Sequence, residues 1–168
     1  MHKLPIDISS VEKTEPTKMA SHELQYLYDI SVKIKPKILL ESGTHCGQCS
    51  TYALFAALVE NKTGILYTYE IHKPFFDAAV AFYIKIKNSE QAIVLKNEDF
   101  VLAVKNLSND FFKDVDFVFL DGGDERADGG HKLPGEDYLK NIDISENVQS
   151  FKLLECRAND GTHVILHD

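Results

Sequence analysis

The sequence predicts an α/β fold on a parallel sheet of about five strands with helices on both faces. Three observations predict it. Strand-like and helix-like segments alternate along the chain. The strand-like segments are short continuous apolar runs, as strands buried on both faces require. Glycine, proline or polar residues punctuate the changes of type. The 168 residues suit one domain, and 44% of them are apolar, enough to fill a core.

Residues 1–20, with Pro5 and Pro16, read as a loose N-terminal arm, and residues 21–168 as the folded domain. Ser21 is expected to cap a first helix that turns Leu24, Leu27, Tyr28 and Val32 inward, and Pro36 ends it. Ile38 to Leu40 is the first strand, and Glu41 to Gly47 a tight connection. Ser50 to Val59 is a helix burying Ala53, Leu54, Ala57 and Leu58. Gly64 precedes a second strand, Ile65 to Tyr69. Pro74 suits the first turn of a helix carrying Phe75, Ala78, Ala79 and Phe82. Ala92 to Leu95 is the third strand. Val101, Leu102, Val104 and Leu107 fit a helix, and Val115 to Leu120 is the fourth strand. A polar stretch follows from Gly122 to Asp137. Phe151, Leu153 and Leu154 suggest a short helix, and Thr162 to Leu166 is the fifth strand.

A parallel sheet of this kind binds ligands beyond the carboxyl ends of its strands. That rule selects Glu41 to Gly47, Glu70, Asp99, Asp121 to Asp124 and His167-Asp168. Gly43 and Gly47 permit a sharp turn and close approach of a ligand to the backbone, and the next helix aims its N-terminus there. Glu70 ends the following strand, where an acid can take both hydroxyls of a ribose. Loop and acid together form a nucleoside-binding pattern.

The run Glu41-Ser42-Gly43-Thr44-His45-Cys46-Gly47-Gln48-Cys49-Ser50-Thr51 resembles the first loop of class I S-adenosylmethionine-dependent methyltransferases. The likeness is greatest to their small-molecule O-methyltransferase-like branch. It continues at Thr63 to Glu70, at Glu98-Asp99, at Asp116 to Gly122 and at Gly161 to Asp168, covering most of residues 21–168. Two positions depart from the pattern: His45 replaces a usual Gly, and Gly123-Asp124 a usual Asp-His. The resemblance implies a Rossmann-like sheet of order 3-2-1-4-5 that lacks the family's last two strands.

It also implies S-adenosylmethionine as cofactor and methyl transfer to an oxygen of a small polar molecule. Glu41, Gly43, Thr44 and Gly47 would surround the methionine part and the ribose. Glu70 would hold the ribose hydroxyls, with Ile71 beside the adenine. Asp99 would accept from the adenine amino group, Phe100 would pack on the ring, and Asp121 would sit by the sulfonium. Some O-methyltransferases hold Mg²⁺ or another divalent cation on carboxylates at the positions of Asp121 and Asp168.

Asp121, His131 and His167 are the candidate catalytic residues, because an acceptor hydroxyl needs a base or a metal. His163, on the fifth strand, is a weaker candidate. Gly122 to Asp137, with five glycines, is expected to form a lid in which Arg126, His131 and Lys132 contact the acceptor and Asp124 assists a metal.

Rival functions fit less of the chain. Cys46-Gly47-Gln48-Cys49 has the form of a thioredoxin-like dithiol, and a helix N-terminus follows it. That fold needs a proline just before a later strand, whereas Pro74 follows a strand and Pro134 lies in the polar stretch. A nicotinamide dehydrogenase wants Gly-x-Gly-x-x-Gly, and His45 interrupts it. A non-catalytic or shortened methyltransferase-like domain is the alternative function.

A net charge of -8 with scattered basic residues speaks against nucleic-acid and anionic-membrane partners. Lys33, Lys35 and Lys37 read as a solvated rim. With no signal-like or membrane-spanning run, a cytoplasmic protein is the expectation. A fifth strand without further partners leaves an uncovered edge. The expectation there is a homodimer through that edge or a longer natural protein.

Overall fold

The structure is a computed structural model, and it describes residues 19–86, 92–121 and 146–167. Strands β1 (Ile38–Ser42), β2 (Ile65–Tyr69), β3 (Ala92–Lys96), β4 (Val115–Leu120) and β5 (His163–Leu166) form one sheet of order β3-β2-β1-β4-β5. Every pairing is parallel, so the expected order and direction both hold. The helices are α1 (Ser21–Ile34), α2 (Ser50–Asn61), α3 (Lys73–Ile86), α4 (Phe100–Asn106), α5 (Asn109–Phe112) and α6 (Glu146–Glu155).

Each face of the sheet carries its own core. On one, Leu39, Leu66, Phe117 and Phe119 pack with Leu24, Leu27, Tyr28 of α1 and Ala53, Leu54, Leu58 of α2. On the other, Leu40, Val118 and Leu120 pack with Phe100 and Val104 of α4, Phe112 of α5 and Leu154 of α6. Residues Ser50 to Leu58 of α2 are buried all round, as a helix covered on every side must be. Alternation along a strand decides which face each residue joins. In β4 it is reset once. Ile38 pairs with Val115 but Leu39 with Phe117, so Asp116 is an extra residue, a bulge. Asp116 Oδ2 accepts from Lys37 N at 2.6 Å. Beyond it, Phe117 and Phe119 share the face of Leu39.

The structure corrects four expectations. Glu41 and Ser42 belong to β1, because their backbones pair with Thr68 and Tyr69. The N-cap of α1 is Ala20 and not Ser21; Glu23 reaches back so that its Oε2 accepts from Ala20 N at 2.6 Å. Of the residues expected on α3, Ala78 is exposed and Ala79 buried, and Tyr83 is buried with it. A separate helix, α5, lies before β4, capped by Ser108 Oγ accepting from Phe111 N at 3.2 Å. Lys33, Lys35 and Lys37 are exposed, as expected of a rim. Among the described residues β5 pairs only with β4, and no helix is long and apolar enough to cross a membrane.

Candidate functional site

The alternation that builds the core also builds the site. Glu41 follows Leu39 on the same face, and Thr68 and Glu70 follow Leu66. Asp121 follows Phe119, and His167 follows Ile165, the partner of Phe119. At the carboxyl ends of the strands, one face therefore changes from apolar to polar within two residues.

The loop after β1 is tied to β2 through its backbone. Gly43 N and Thr44 N both donate to Tyr69 O, at 3.0 and 3.1 Å. Gly47 adopts φ +76, and a Cβ there would come within 2.8 Å of the Tyr83 ring and 3.2 Å of Ala79 Cβ. Tyr83 Oη donates to Gly47 O at 2.9 Å, so α3 clasps the loop where only glycine fits. The N-cap of α2 is Cys49, and no side-chain hydrogen bond caps the helix.

Beneath this loop lies a buried polar cluster of Glu41, Thr44, Ser50, Thr51 and Thr68, none more than 3% exposed. Thr68 Oγ1 donates to Glu41 Oε2 at 2.7 Å, and the Thr44 and Thr68 hydroxyl oxygens are 2.5 Å apart. Glu41 Oε1 is buried with no hydrogen-bond partner of good geometry among the described residues. Burial pushes the Glu41 carboxyl from its ordinary 4.5 up to about 7; the Thr68 hydrogen bond and the Ser50 and Thr51 hydroxyls oppose the rise, and the Asp121 charge adds to it. An orphaned carboxylate oxygen in such a pocket suits a cationic ligand group.

Glu70 is 7% exposed and bridges two loops. Its Oε2 accepts from His45 N and its Oε1 from His72 N, both at 2.7 Å. Each carboxylate oxygen has a second lone pair, so ribose hydroxyls remain compatible with this clamp. His45, at the position of the expected glycine, takes a left-handed φ of 48. Its ring lies 4.0 Å from that of Phe75, which also meets His72 at 4.7 Å. Asn97 Nδ2 donates to the carbonyls of Glu70 and Ile71, at 2.7 and 3.2 Å, fixing both from the end of β3.

Ile71 is 41% exposed, as a residue beside a ligand can be. Phe100 is buried edge-on against Tyr69 at 5.3 Å. Asp99 caps α4, its Oδ1 accepting from Leu102 N at 2.9 Å. A cavity of about 390 Å³ opens beside it, lined by Tyr67, Tyr69, Lys96, Glu98, Asp99 and Leu102 among others.

At the other end of the site, Asp121 and His167 are brought together. Asp121 N donates to Ser42 O at 3.1 Å and His167 N to Leu120 O at 2.9 Å, extending the ladder. The side chains then meet, His167 Nδ1 to Asp121 Oδ1, at 2.9 Å. Glu23 Oε1, from the first turn of α1, stands 3.8 Å from His167 Nε2. His163 points to solvent from β5. His131, Asp168 and the expected lid from Gly122 to Asp137 lie outside the described residues. Among the described residues, no three His, Cys, Asp or Glu side chains converge as a cation site.

Cys46 and Cys49 form no disulfide with each other. Burial, with the Glu41 and Asp121 charges, pushes the Cys49 thiol up to about 11, the opposite of what a reactive dithiol needs.

Sequence reasoning missed Thr68, Tyr83, Asn97 and Glu23. Thr68 alone left a trace: a lone hydroxyl residue between Leu66 and Glu70 on the inward side of a buried strand.

No family model and no curated protein matches the chain. Solved structures do. The SAH-bound methyltransferase PaMTH1 of Podospora anserina superposes with a TM-score of 0.60 at 14% identity, over 88% of this chain and 53% of that one. An O-methyltransferase from Bacillus cereus, in complex with SAH, gives 0.59 at 19% identity, over 90% and 58%. The O-methyltransferase TomG of Streptomyces achromogenes, in complex with SAM, gives 0.53 at 18% identity, over 88% and 56%. The chain thus has the class I methyltransferase fold and spans little more than half the length of these neighbours.

Proposed function

We propose that this chain binds S-adenosylmethionine at the carboxyl ends of β1 to β3 and transfers its methyl group to an oxygen of a small polar molecule. The observation that carries this function is Glu70. Its carboxylate is held by two backbone N–H groups at the mouth of a glycine loop, where a ribose diol would meet both oxygens.

The other roles follow from position. The Glu41 carboxylate faces the ammonium of the amino-acid portion, and the uncapped α2 N-terminus suits its carboxylate. Ile71 and Asp99 flank the adenine, with Phe100 behind them. When bound, the cofactor supplies an activated sulfonium methyl that needs only in-line approach of the acceptor oxygen. The chain must then take up the acceptor's proton. With Nδ1–H donating to Asp121, His167 keeps Nε2 as its basic nitrogen, and Asp121 stabilises the imidazolium that forms.

Calorimetric titration with S-adenosylhomocysteine tests the cofactor site. The expected result is saturable binding that Glu70→Ala weakens by about 1–3 kcal/mol, typical of lost charged hydrogen bonds. A folded sample that binds nothing withdraws the proposal and leaves a methyltransferase fold without transfer.

A further inference from the structure

We infer that Thr68 is a positioning residue of the cofactor site: its hydroxyl, strung between Thr44 and Glu41, aims Glu41 Oε1 at the ammonium of the bound amino-acid portion. The inference rests on the cofactor proposed above and goes beyond it, to a residue on the neighbouring strand.

The hydrogen-bond inventory fixes the direction of the chain. A threonine has one O–H to donate. Once Glu41 is ionised, the form that receives a cation, Thr68 donates its O–H to Glu41 Oε2 at 2.7 Å. At 2.5 Å, the Thr44 hydroxyl must therefore donate to Thr68. Thr44 is held in turn, since its carbonyl accepts from Gly47 N at 2.9 Å and Thr51 Oγ1 at 3.3 Å. Glu41 and Thr68 are direct register partners across β1 and β2, so their side chains rise from one point on one face. Both are fully buried.

The consequence for Glu41 is orientational. With Oε2 anchored, the carboxylate cannot spin, and Oε1 is left without a hydrogen bond of good geometry, although the Ser50 and Thr51 hydroxyls act on the same carboxyl. Holding Oε2 in advance spares a ligand the cost of ordering the carboxylate, a condition for strong binding. The charged groups acting on this pocket are acidic: Asp121 acts on Glu41, and Glu41 acts on Cys49 and Tyr83. None of these competes as a cation for Oε1.

Two probes separate positioning from simple support of the fold. S-adenosylhomocysteine carries the ammonium; 5′-methylthioadenosine shares its nucleoside but lacks the amino-acid portion. Thr68→Val keeps the shape and removes the hydroxyl. It should weaken S-adenosylhomocysteine about tenfold, the size of a lost hydrogen bond to a charged group. Methylthioadenosine should hold to within about twofold, since its contacts are untouched. Thr68→Ser should restore the first affinity, and in a Glu41→Gln background Thr68→Val should add nothing. Should the valine variant not fold, Thr68→Ala removes the same hydroxyl and is judged by the same outcomes. Equal loss of both probes, no loss of either, or full additivity with Glu41→Gln would overturn the inference while leaving the cofactor site intact. Wild-type protein that binds neither probe would overturn the cofactor proposal as well.

Discussion

At the carboxyl ends of β1 and β2, Glu41, Thr44, Thr68 and Glu70 are at most 7% exposed, and each is held by hydrogen bonds between sequence-distant elements. At the ends of β4 and β5, the Asp121 and His167 side chains are 28% and 19% exposed and meet through one hydrogen bond. Under the proposed function, the difference matches two tasks. A group that binds a cofactor gains from being fixed before the ligand arrives, because ordering costs affinity. A group that accepts a proton must be reached by an acceptor that comes and goes, and it needs orientation rather than enclosure.

If that division is right, damage to the two ends should separate. His167→Ala should slow methyl transfer by about 10²–10⁴-fold, the usual contribution of a general base. Affinity for S-adenosylhomocysteine should stay within about threefold, as expected for a distant site. Single-turnover kinetics with an acceptor found by screening hydroxylated molecules would check it. Parallel loss of binding would break the comparison.

Gly47→Ala attacks the fixed end. Its Cβ would meet the Tyr83 ring at 2.8 Å from a backbone at φ +76. Overpacking and positive-φ strain together should destabilise the fold by roughly 2–4 kcal/mol, read by urea denaturation. A variant as stable as wild type would mean that α3 does not clasp the loop.

Glu41 supplies the third test. Burial raises its folded carboxyl from 4.5 to about 7, so the folded state holds a proton that the unfolded chain releases earlier. Its contribution to stability is fully present below 4.5 and is lost as pH rises through about 7. A displacement of that size corresponds to roughly 3 kcal/mol at most. Denaturation between pH 4 and 8 should show wild type losing stability relative to Glu41→Gln across that window. Parallel curves would mean that Glu41 titrates as an exposed carboxyl does.

The fold was legible because a strand buried on both faces must be a continuous apolar run, and Ile38 to Leu40, Ile65 to Tyr69 and Val115 to Leu120 obey that rule. Glu70, Asp121 and His167 were legible because parallel sheets bind ligands at strand ends. Thr68 and Tyr83 were not. Their roles come from partners 24, 27 and 36 residues away, and no local pattern encodes those contacts. Glu23 was hidden for the same reason: it caps its own helix locally, and only folding brings it beside His167. Ser21 misled because a good capping residue one position late is outcompeted by the Glu23 carboxylate.

Beyond the bulge at Asp116, chain length itself becomes a functional quantity. Elsewhere in a domain, an added or missing residue in a surface connection costs little, since loop closure depends weakly on length. Between Phe117 and Asp121 the tolerance vanishes. Deleting Asp116 would only remove the bulge and keep Phe117 beside Leu39, but deleting Val118 would move every later residue of β4 to the other side. Phe119 and Leu120 would trade cores, and the Asp121 carboxylate would emerge on the face away from Glu41 and His167. A single codon lost there would part the Asp121–His167 pair while leaving both residues in the chain.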